Sequence, residues 1–163
     1  FYISRIGRQE TIVNREERAL EEIRTAGDPA EFLKQTSRVL AQITGNFVLA
    51  GFPEDELFYK SGISEVIQEP EFSDTRAMHE FSMLMDILED EINRWFDFHE
   101  LEGPRTLIGA ENPIRSARRY GMIISTYDTP FEKEGIVALI GPKRMDYGHN
   151  LAVLRHLREM LTS

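Results

Sequence analysis

The chain has 163 residues, a formal net charge of −9 and no cysteine. This length suffices for one domain with a buried core, and 41% hydrophobic with 29% charged residues is a globular composition rather than a disordered one. The lack of cysteine excludes disulfides and thiolate metal sites and fits a cytoplasmic protein. The negative charge disfavours nucleic-acid binding by this chain alone. No apolar run reaches the roughly 18 residues of a membrane span, and no signal peptide is recognisable, so we expect no membrane contact.

We predict that residues 1–27 form a linker followed by a helix. Between residues 9 and 26, Ile12, Leu20 and Ile23 recur at helical spacing, and Gly27 is suited to end the helix. Because this apolar stripe is narrow, the helix either packs poorly or contacts a partner. Ile12, Leu20 and Ile23 are therefore the candidate dimer contacts, and residues 28–163 form the predicted main domain.

The main domain opens with a strong helix signal. Asp28 is a good N-cap, Pro29 fits the first helical position, and the helix should end near Gly45. Residues 46–52 and 57–62 are short apolar segments of strand length, and the turn residues between them predict two connected strands.

A long helix is predicted from the Asp74 cap to about Phe96. Its apolar residues recur every three or four positions, at Met78, Phe81, Met85, Leu88, Ile92 and Trp95. Such a row fits either a helix lying on a sheet or a self-association helix, and the first interpretation is favoured because the row is short.

The last third of the chain is rich in strand signals. Residues 105–109, 120–127 and 134–141 are strand candidates, and the last two read as an antiparallel hairpin. A final helix follows Pro142. This order of elements predicts an α+β domain with a mainly antiparallel sheet, flanked by helices and preceded by an N-terminal helix.

Motifs for catalysis are missing from the sequence. It has neither a glycine-rich phosphate loop nor a nucleophile elbow. His149 and His156 are seven residues apart, a poor spacing for chelation on one helix, and we expect them on a solvent-exposed face. We expect the same of the basic residues near Arg118 and Lys143. The sequence therefore predicts no enzyme, and no catalytic, cofactor or metal site.

Three segments of the chain resemble one protein family. "PEFSD" (70–74), "GAENP" (109–113) and "IGPKRMDY" (140–147), in this order, are similar to segments of the heat-inducible transcription repressors of the HrcA family. The segment 37–49 is similar to the family as well. The family-motif residues are Pro70, Glu71, Phe72, Ser73, Asp74, Glu111, Asn112, Pro113, Gly141, Pro142, Arg144, Met145, Asp146 and Tyr147. We interpret them as structural, with Asp146 near the helix start and Arg144 paired with Asp146 or Glu111.

The resemblance implies a GAF-like regulatory domain in a repressor of heat-shock chaperone genes. Members of the family act as homodimers on an inverted-repeat operator, bind DNA through an upstream winged-helix domain that is not in this chain, and are kept active by the GroE chaperonin. Only residues 48–69 separate Phe47 from Pro70, so this chain resembles a short form without the family's inserted dimerisation domain. The dimer contact implied by the resemblance would then come from the helix of residues 9–26 or from the row between Met78 and Trp95.

A second class of function remains open at this point. GAF-like domains often hold a small molecule between sheet and helices, so the chain could be a sensor without a DNA-related role. Phe58, Ile124, Phe131 and Val137 are the candidate pocket walls, and each is also a plausible core residue.

Overall fold

A computed structural model of the chain describes residues 12–162. The predicted linker and the start of the first predicted helix, residues 1–11, lie outside the described residues. Within residues 12–162, no helix is both long enough and apolar enough to cross a membrane.

Five antiparallel strands form a single sheet. They are β1 (Phe47–Phe52), β2 (Leu57–Ser61), β3 (Arg105–Ile108), β4 (Gly121–Asp128) and β5 (Glu134–Gly141). Their order across the sheet is β2-β1-β5-β4-β3. The predicted hairpin is confirmed, because β4 and β5 pair antiparallel, with Ser125 opposite Val137.

Five α-helices complete the fold within residues 12–162. They are α1 (Asn14–Ile23), α2 (Pro29–Thr44), α3 (Ile63–Val66), α4 (Thr75–Trp95) and α5 (Tyr147–Thr162). The two predicted caps are present: the Asp28 carboxylate accepts a hydrogen bond from the Glu31 amide at 2.8 Å, and that of Asp74 from the Ala77 amide at 2.7 Å. Gly45 ends α2 at a φ of 69°, a left-handed conformation that glycine adopts without a Cβ penalty.

Helices cover both faces of the sheet. One buried cluster joins α1, α2 and α5 to alternate residues of the strands, including Val48, Ile123 and Val137. A second cluster packs α3 and α4 on the opposite face, against Leu49 and Ile124. Since neither face meets solvent, β1 and β5 are continuous apolar runs rather than alternating ones. The predicted α+β class is confirmed, and the arrangement is consistent with a GAF-like domain.

Helix α1 packs in the core of the chain, which corrects the prediction that Leu20 and Ile23 are dimer contacts. Leu20 and Ile23 are both 0% exposed and lie in the same cluster as α2 and α5. Ile12 is half-buried and packs against that cluster. Because Leu20 and Ile23 are fully covered by contacts within the chain, they offer no surface to a partner, whereas Ile12 remains a predicted dimer contact.

Helix α4 lies on the sheet, as the favoured interpretation of its apolar row predicts. Phe81, Leu88 and Ile92 are buried in the second cluster. Met78 and Trp95, at the two ends of the predicted row, are 42% and 48% exposed. The middle of the row therefore packs against the sheet, and its two ends remain accessible to solvent.

Candidate functional site

The three segments that carry the family resemblance meet at one end of the sheet. There β5 ends, β4 begins, and the loop after β3 turns back toward them. We call this region the motif junction and define it by residues 70–74, 109–113 and 140–147. The contacts that build it start from one arginine.

Arg144 ties the last motif to the first. Its guanidinium Nη2 donates to Glu69 Oε2 at 2.6 Å, and its Nε and Nη2 each lie 2.9 Å from an oxygen of Glu71. The paired contacts to Glu71 have the bidentate geometry favoured between arginine and carboxylate. Hydrogen bonding to Arg144 lowers the pKa of Glu71 below its usual value. This corrects the expected partners: Asp146 and Glu111 have other tasks.

Asp146 and Glu111 both bind backbone amides. The Asp146 carboxylate accepts from the amide of His149 at 3.1 Å, in the first turn of α5, as expected for an acidic residue at a helix start. Glu111 Oε1 accepts from the amide of Ile108 at 3.2 Å and closes the short turn after β3. Each carboxylate thus accepts a hydrogen bond from a backbone amide that the secondary structure leaves unpaired.

An aromatic cluster lies beneath the ion pairs. Phe72 of the first motif stacks on Tyr120 with ring centroids 5.4 Å apart, and its edge contact with Phe81 of α4 has a centroid distance of 5.0 Å. Phe81 in turn contacts Phe47 at the start of β1. Burial raises the pKa of the Tyr120 hydroxyl. Phe72 therefore anchors the first motif to the sheet through packing.

The second motif is fixed by one buried amide. Asn112 is fully buried, and its Oδ1 accepts from the amide of Ile114 at 2.9 Å. Its backbone carbonyl accepts from Arg118 Nε at 2.8 Å. These bonds hold the loop that leads into β4, and Pro113 lies between the two bonded positions.

Close packing at the last motif depends on glycine. A Cβ added at Gly121 would lie 2.1 Å from the Tyr147 hydroxyl, and one at Gly141 would lie 2.0 Å from Asn46 Oδ1. The Tyr147 hydroxyl itself donates to the carbonyl of Lys143 at 2.6 Å. Partial burial raises the Tyr147 pKa, as does the nearby charge of Glu111. Tyr147 therefore lies across the start of β4, where a side chain larger than glycine would displace it.

Two asparagines that the sequence analysis missed complete the junction. Asn46 and Asn150 are both buried, and each side-chain amide donates to the Met145 sulfur, at 3.9 Å and 3.3 Å. Their positions, just before β1 and inside α5, gave a weak signal: an asparagine within an apolar stretch implies a buried partner. Met145 thereby links β1, β5 and α5.

One histidine also has a partner that the sequence analysis did not foresee. His149 Nε2 lies 2.9 Å from Glu16 Oε2, and both side chains are mostly buried. The prediction that His149 lies on an exposed helix face is therefore wrong. The contact joins α1 to the first turn of α5.

The basic residues near the junction are largely engaged within the chain. Arg119 forms an ion pair with Glu80 of α4, Arg118 binds the carbonyl of Asn112, and Arg144 binds its two glutamates. Among the described residues, no group of three or more histidine, aspartate or glutamate side chains is placed to hold a metal ion. The observed contacts order loops and match charges, and we identify no nucleophile–base arrangement in the junction.

The candidate pocket walls do not surround one space. Phe131 and Val137 belong to the cluster beneath α1, α2 and α5. Phe58 and Ile124 belong to the cluster beneath α4. The sheet separates the two pairs, so all four cannot line one cavity. A groove of about 480 Å³ instead opens to solvent between Pro104 and α5.

Comparison with known proteins identifies the same family as the residues of the motif junction. The family model "HrcA protein C terminal domain" matches residues 14–150. Among curated relatives, the chain is 30% identical over 132 residues to the heat-inducible transcription repressor HrcA of Bacillus pumilus, covering 80% of this chain and 37% of the relative. It is 32% identical over 117 residues to the repressor of the same name from Desulfitobacterium hafniense, covering 71% and 33%.

The fold is shared with a solved structure. It is a crystal structure of a hypothetical protein at 2.2 Å resolution, with a TM-score of 0.70 and 13% identity, and the match covers 99% of this chain and 75% of the other. The chain spans about a third of the length of the curated relatives that it matches. On the family match, the chain belongs to the HrcA protein C-terminal domain family.

Proposed function

We propose that this chain is the regulatory and dimerisation part of a repressor of heat-shock chaperone genes, acting in the cytoplasm. The observation that supports this most directly is the family match over residues 14–150. The curated relatives are named heat-inducible transcription repressors. The motif junction adds a physical argument, since the residues that carry the resemblance contact one another in the fold.

The role in DNA binding is that of a scaffold. An inverted-repeat operator has two half-sites, and a protein that reads both needs two DNA-binding domains held in two-fold symmetry. This chain, with its net charge of −9, holds the two copies together. A winged-helix domain N-terminal to it contacts the phosphates and bases, as the family resemblance implies. The same resemblance implies that the GroE chaperonin keeps the protein active.

The test uses a chimera because the DNA-binding part is outside this chain. Residues 12–163 replace the matching C-terminal part of the Bacillus pumilus relative, and fluorescence anisotropy measures binding to that repressor's inverted-repeat operator. We expect the chimera to bind the operator at moderate salt, with at least tenfold weaker binding to a single half-site. This chain alone should not bind. A folded chimera that binds both DNAs equally would contradict the scaffold role.

A further inference from the structure

A groove that is open to solvent lies between α5 and the segment that leads into β3. Its volume is about 480 Å³, which falls within the range of about 300–1,000 Å³ found for small-molecule sites. Pro104 forms one wall and α5 forms the other. The residues of α5 that line the groove are Leu151, Arg155, Arg158, Glu159 and Thr162. We call these six residues the α5 groove.

The wall that α5 contributes is fixed by the core. Its lining side chains recur at spacings of four, three and four residues, so they form one stripe along the helix, at Leu151, Arg155, Arg158 and Thr162. On the inner face of the same helix, Leu154 and Leu157 are buried in the cluster shared with α1 and α2. The stripe therefore has a fixed orientation.

The opposite wall is held by the sheet. The Thr126 hydroxyl of β4 donates to the carbonyl of Leu101 at 3.3 Å. The Leu101 side chain packs against the cluster beneath α4. Pro104 follows three residues later, and its ring restricts its own backbone. Because both walls are anchored in the fold, a ligand enters a groove that already exists and orders little of the protein when it binds.

Arg158 differs from the other arginines of the chain. It is half-buried, whereas every other arginine among residues 12–162 is exposed. It has no ion pair and no hydrogen bond within this part of the chain. A Cβ added at Gly103 would lie 3.0 Å from Arg158 Nη1, so the guanidinium lies against the loop backbone. A guanidinium has five N–H donors, and those of Arg158 are available to a ligand in the groove.

The charge of the α5 groove favours one class of ligand. Arg155, Arg158 and Glu159 give it a net charge of +1, on a chain whose net charge is −9. The planar fork of a guanidinium matches a carboxylate. A phosphate monoester carries a charge of about −1.5 to −2 at pH 7, and Glu159 would repel it more strongly than a monoanion. Leu151 and Pro104 add apolar surface.

We propose that the α5 groove binds a small organic carboxylate. Arg158 donates to the carboxylate group, and Leu151 and Pro104 contact the apolar part of the ligand. The site shares no residue with the motif junction. A bound ligand would link α5 to the segment before β3, and it would stabilise the folded chain because only the folded state has the groove. The proposal goes beyond the repressor role and does not depend on it.

NMR of the ¹⁵N-labelled full chain tests the site, with 4-hydroxyphenylacetate as the probe. This molecule carries one carboxylate on an aromatic body. We expect saturable shifts at the amides of residues 151–162 and 101–103, with a dissociation constant below about 5 mM. The neutral isostere 4-hydroxyphenylacetamide should bind about tenfold more weakly or worse, and phenyl phosphate should also bind more weakly. The absence of saturable shifts in these residues, or equal binding of the neutral isostere, would overturn the proposal.

Two variants test the roles of the charged residues. Arg158→Gln should weaken binding of 4-hydroxyphenylacetate about tenfold. Arg38→Gln is the matched control, since Arg38 is exposed on α2 and has no ion pair among the described residues. Glu159→Gln should reduce the preference for the carboxylate over phenyl phosphate. The amide spectrum of each variant reports directly whether it is folded. A folded Arg158→Gln variant that binds as tightly as wild type, or an unchanged preference in Glu159→Gln, would contradict the proposal.

Discussion

Arg144 and Glu71 are 73 positions apart in the chain, yet the guanidinium of Arg144 contacts both carboxylate oxygens of Glu71 at 2.9 Å. This pair connects the segment after β5 with the segment before α4. A contact between such distant segments holds the end of the sheet closed, and its strength depends on the charge of Glu71.

The pair should make stability depend on pH in a defined way. Because Arg144 lowers the Glu71 pKa below 4.5, the pair stabilises the fold above pH 4.5, and this contribution is lost as the pH falls through the lowered value. We expect Arg144→Met to be less stable than wild type at pH 7. The difference should shrink below pH 4.5.

Urea unfolding at several pH values measures this difference. Arg115→Met is the matched control, since Arg115 is exposed and has no ion pair among the described residues. Its difference from wild type should not depend on Glu71. A gap between wild type and Arg144→Met that widens toward pH 3 would contradict the assignment.

Phe72 should be the most sensitive position of the first motif. It is 1% exposed and contacts the rings of Phe81 and Tyr120. Truncation leaves a cavity that these rings fill only in part, so Phe72→Ala should lower the free energy of unfolding by about 3–5 kcal/mol. Ile63→Ala, at an exposed position, should change it by less than about 0.5 kcal/mol. Urea denaturation compares the two, and equal effects would show that Phe72 is not part of the core.

Gly121 should tolerate alanine poorly because of Tyr147. The added Cβ would lie 2.1 Å from the Tyr147 hydroxyl, so Gly121→Ala should cost about 1–3 kcal/mol of unfolding free energy. In a Tyr147→Ala background the cost should fall by at least about half, as expected for residues in direct contact. Gly27→Ala is the control, because no atom lies within 4 Å of its added Cβ. Additive effects of the two changes would refute the close approach.

Leu20 separates core packing from partner contact in α1. Its side chain is 0% exposed within the single chain. Leu20→Ala should therefore lower the free energy of unfolding by about 2–5 kcal/mol, and the dissociation constant of the dimer should stay unchanged under conditions where the variant is folded. Thermal denaturation and sedimentation measure the two quantities. A stable variant with weakened dimerisation would restore α1 as the interface.

Local signals in the sequence were sufficient for most of the elements. Asp28 and Asp74 cap helices through their own carboxylates, a bond made within three residues, so the sequence alone locates both helix starts. The β4–β5 hairpin follows from two apolar runs joined by a short loop. These features depend on neighbours in the chain, which the sequence shows directly.

Contacts between distant segments could not be predicted from the sequence in the same way. The sequence predicts Asp146 or Glu111 as the partner of Arg144, whereas the fold brings Glu69 and Glu71 to it from another loop. The set of four candidate pocket walls is wrong for a related reason: only the register that pairs Ser125 with Val137 shows that Ile124 and Val137 point to opposite faces. Such information is held in the tertiary structure.

Repression in cells is the most direct test of the central claim. The chimera of this chain with the N-terminal part of the Bacillus pumilus relative would replace that repressor in cells carrying a reporter gene behind its operator. We predict low reporter expression at the growth temperature and a rise after heat shock. High expression at the growth temperature from a chimera that is folded and present at normal levels would contradict the claim that this chain is the regulatory part of a heat-shock repressor.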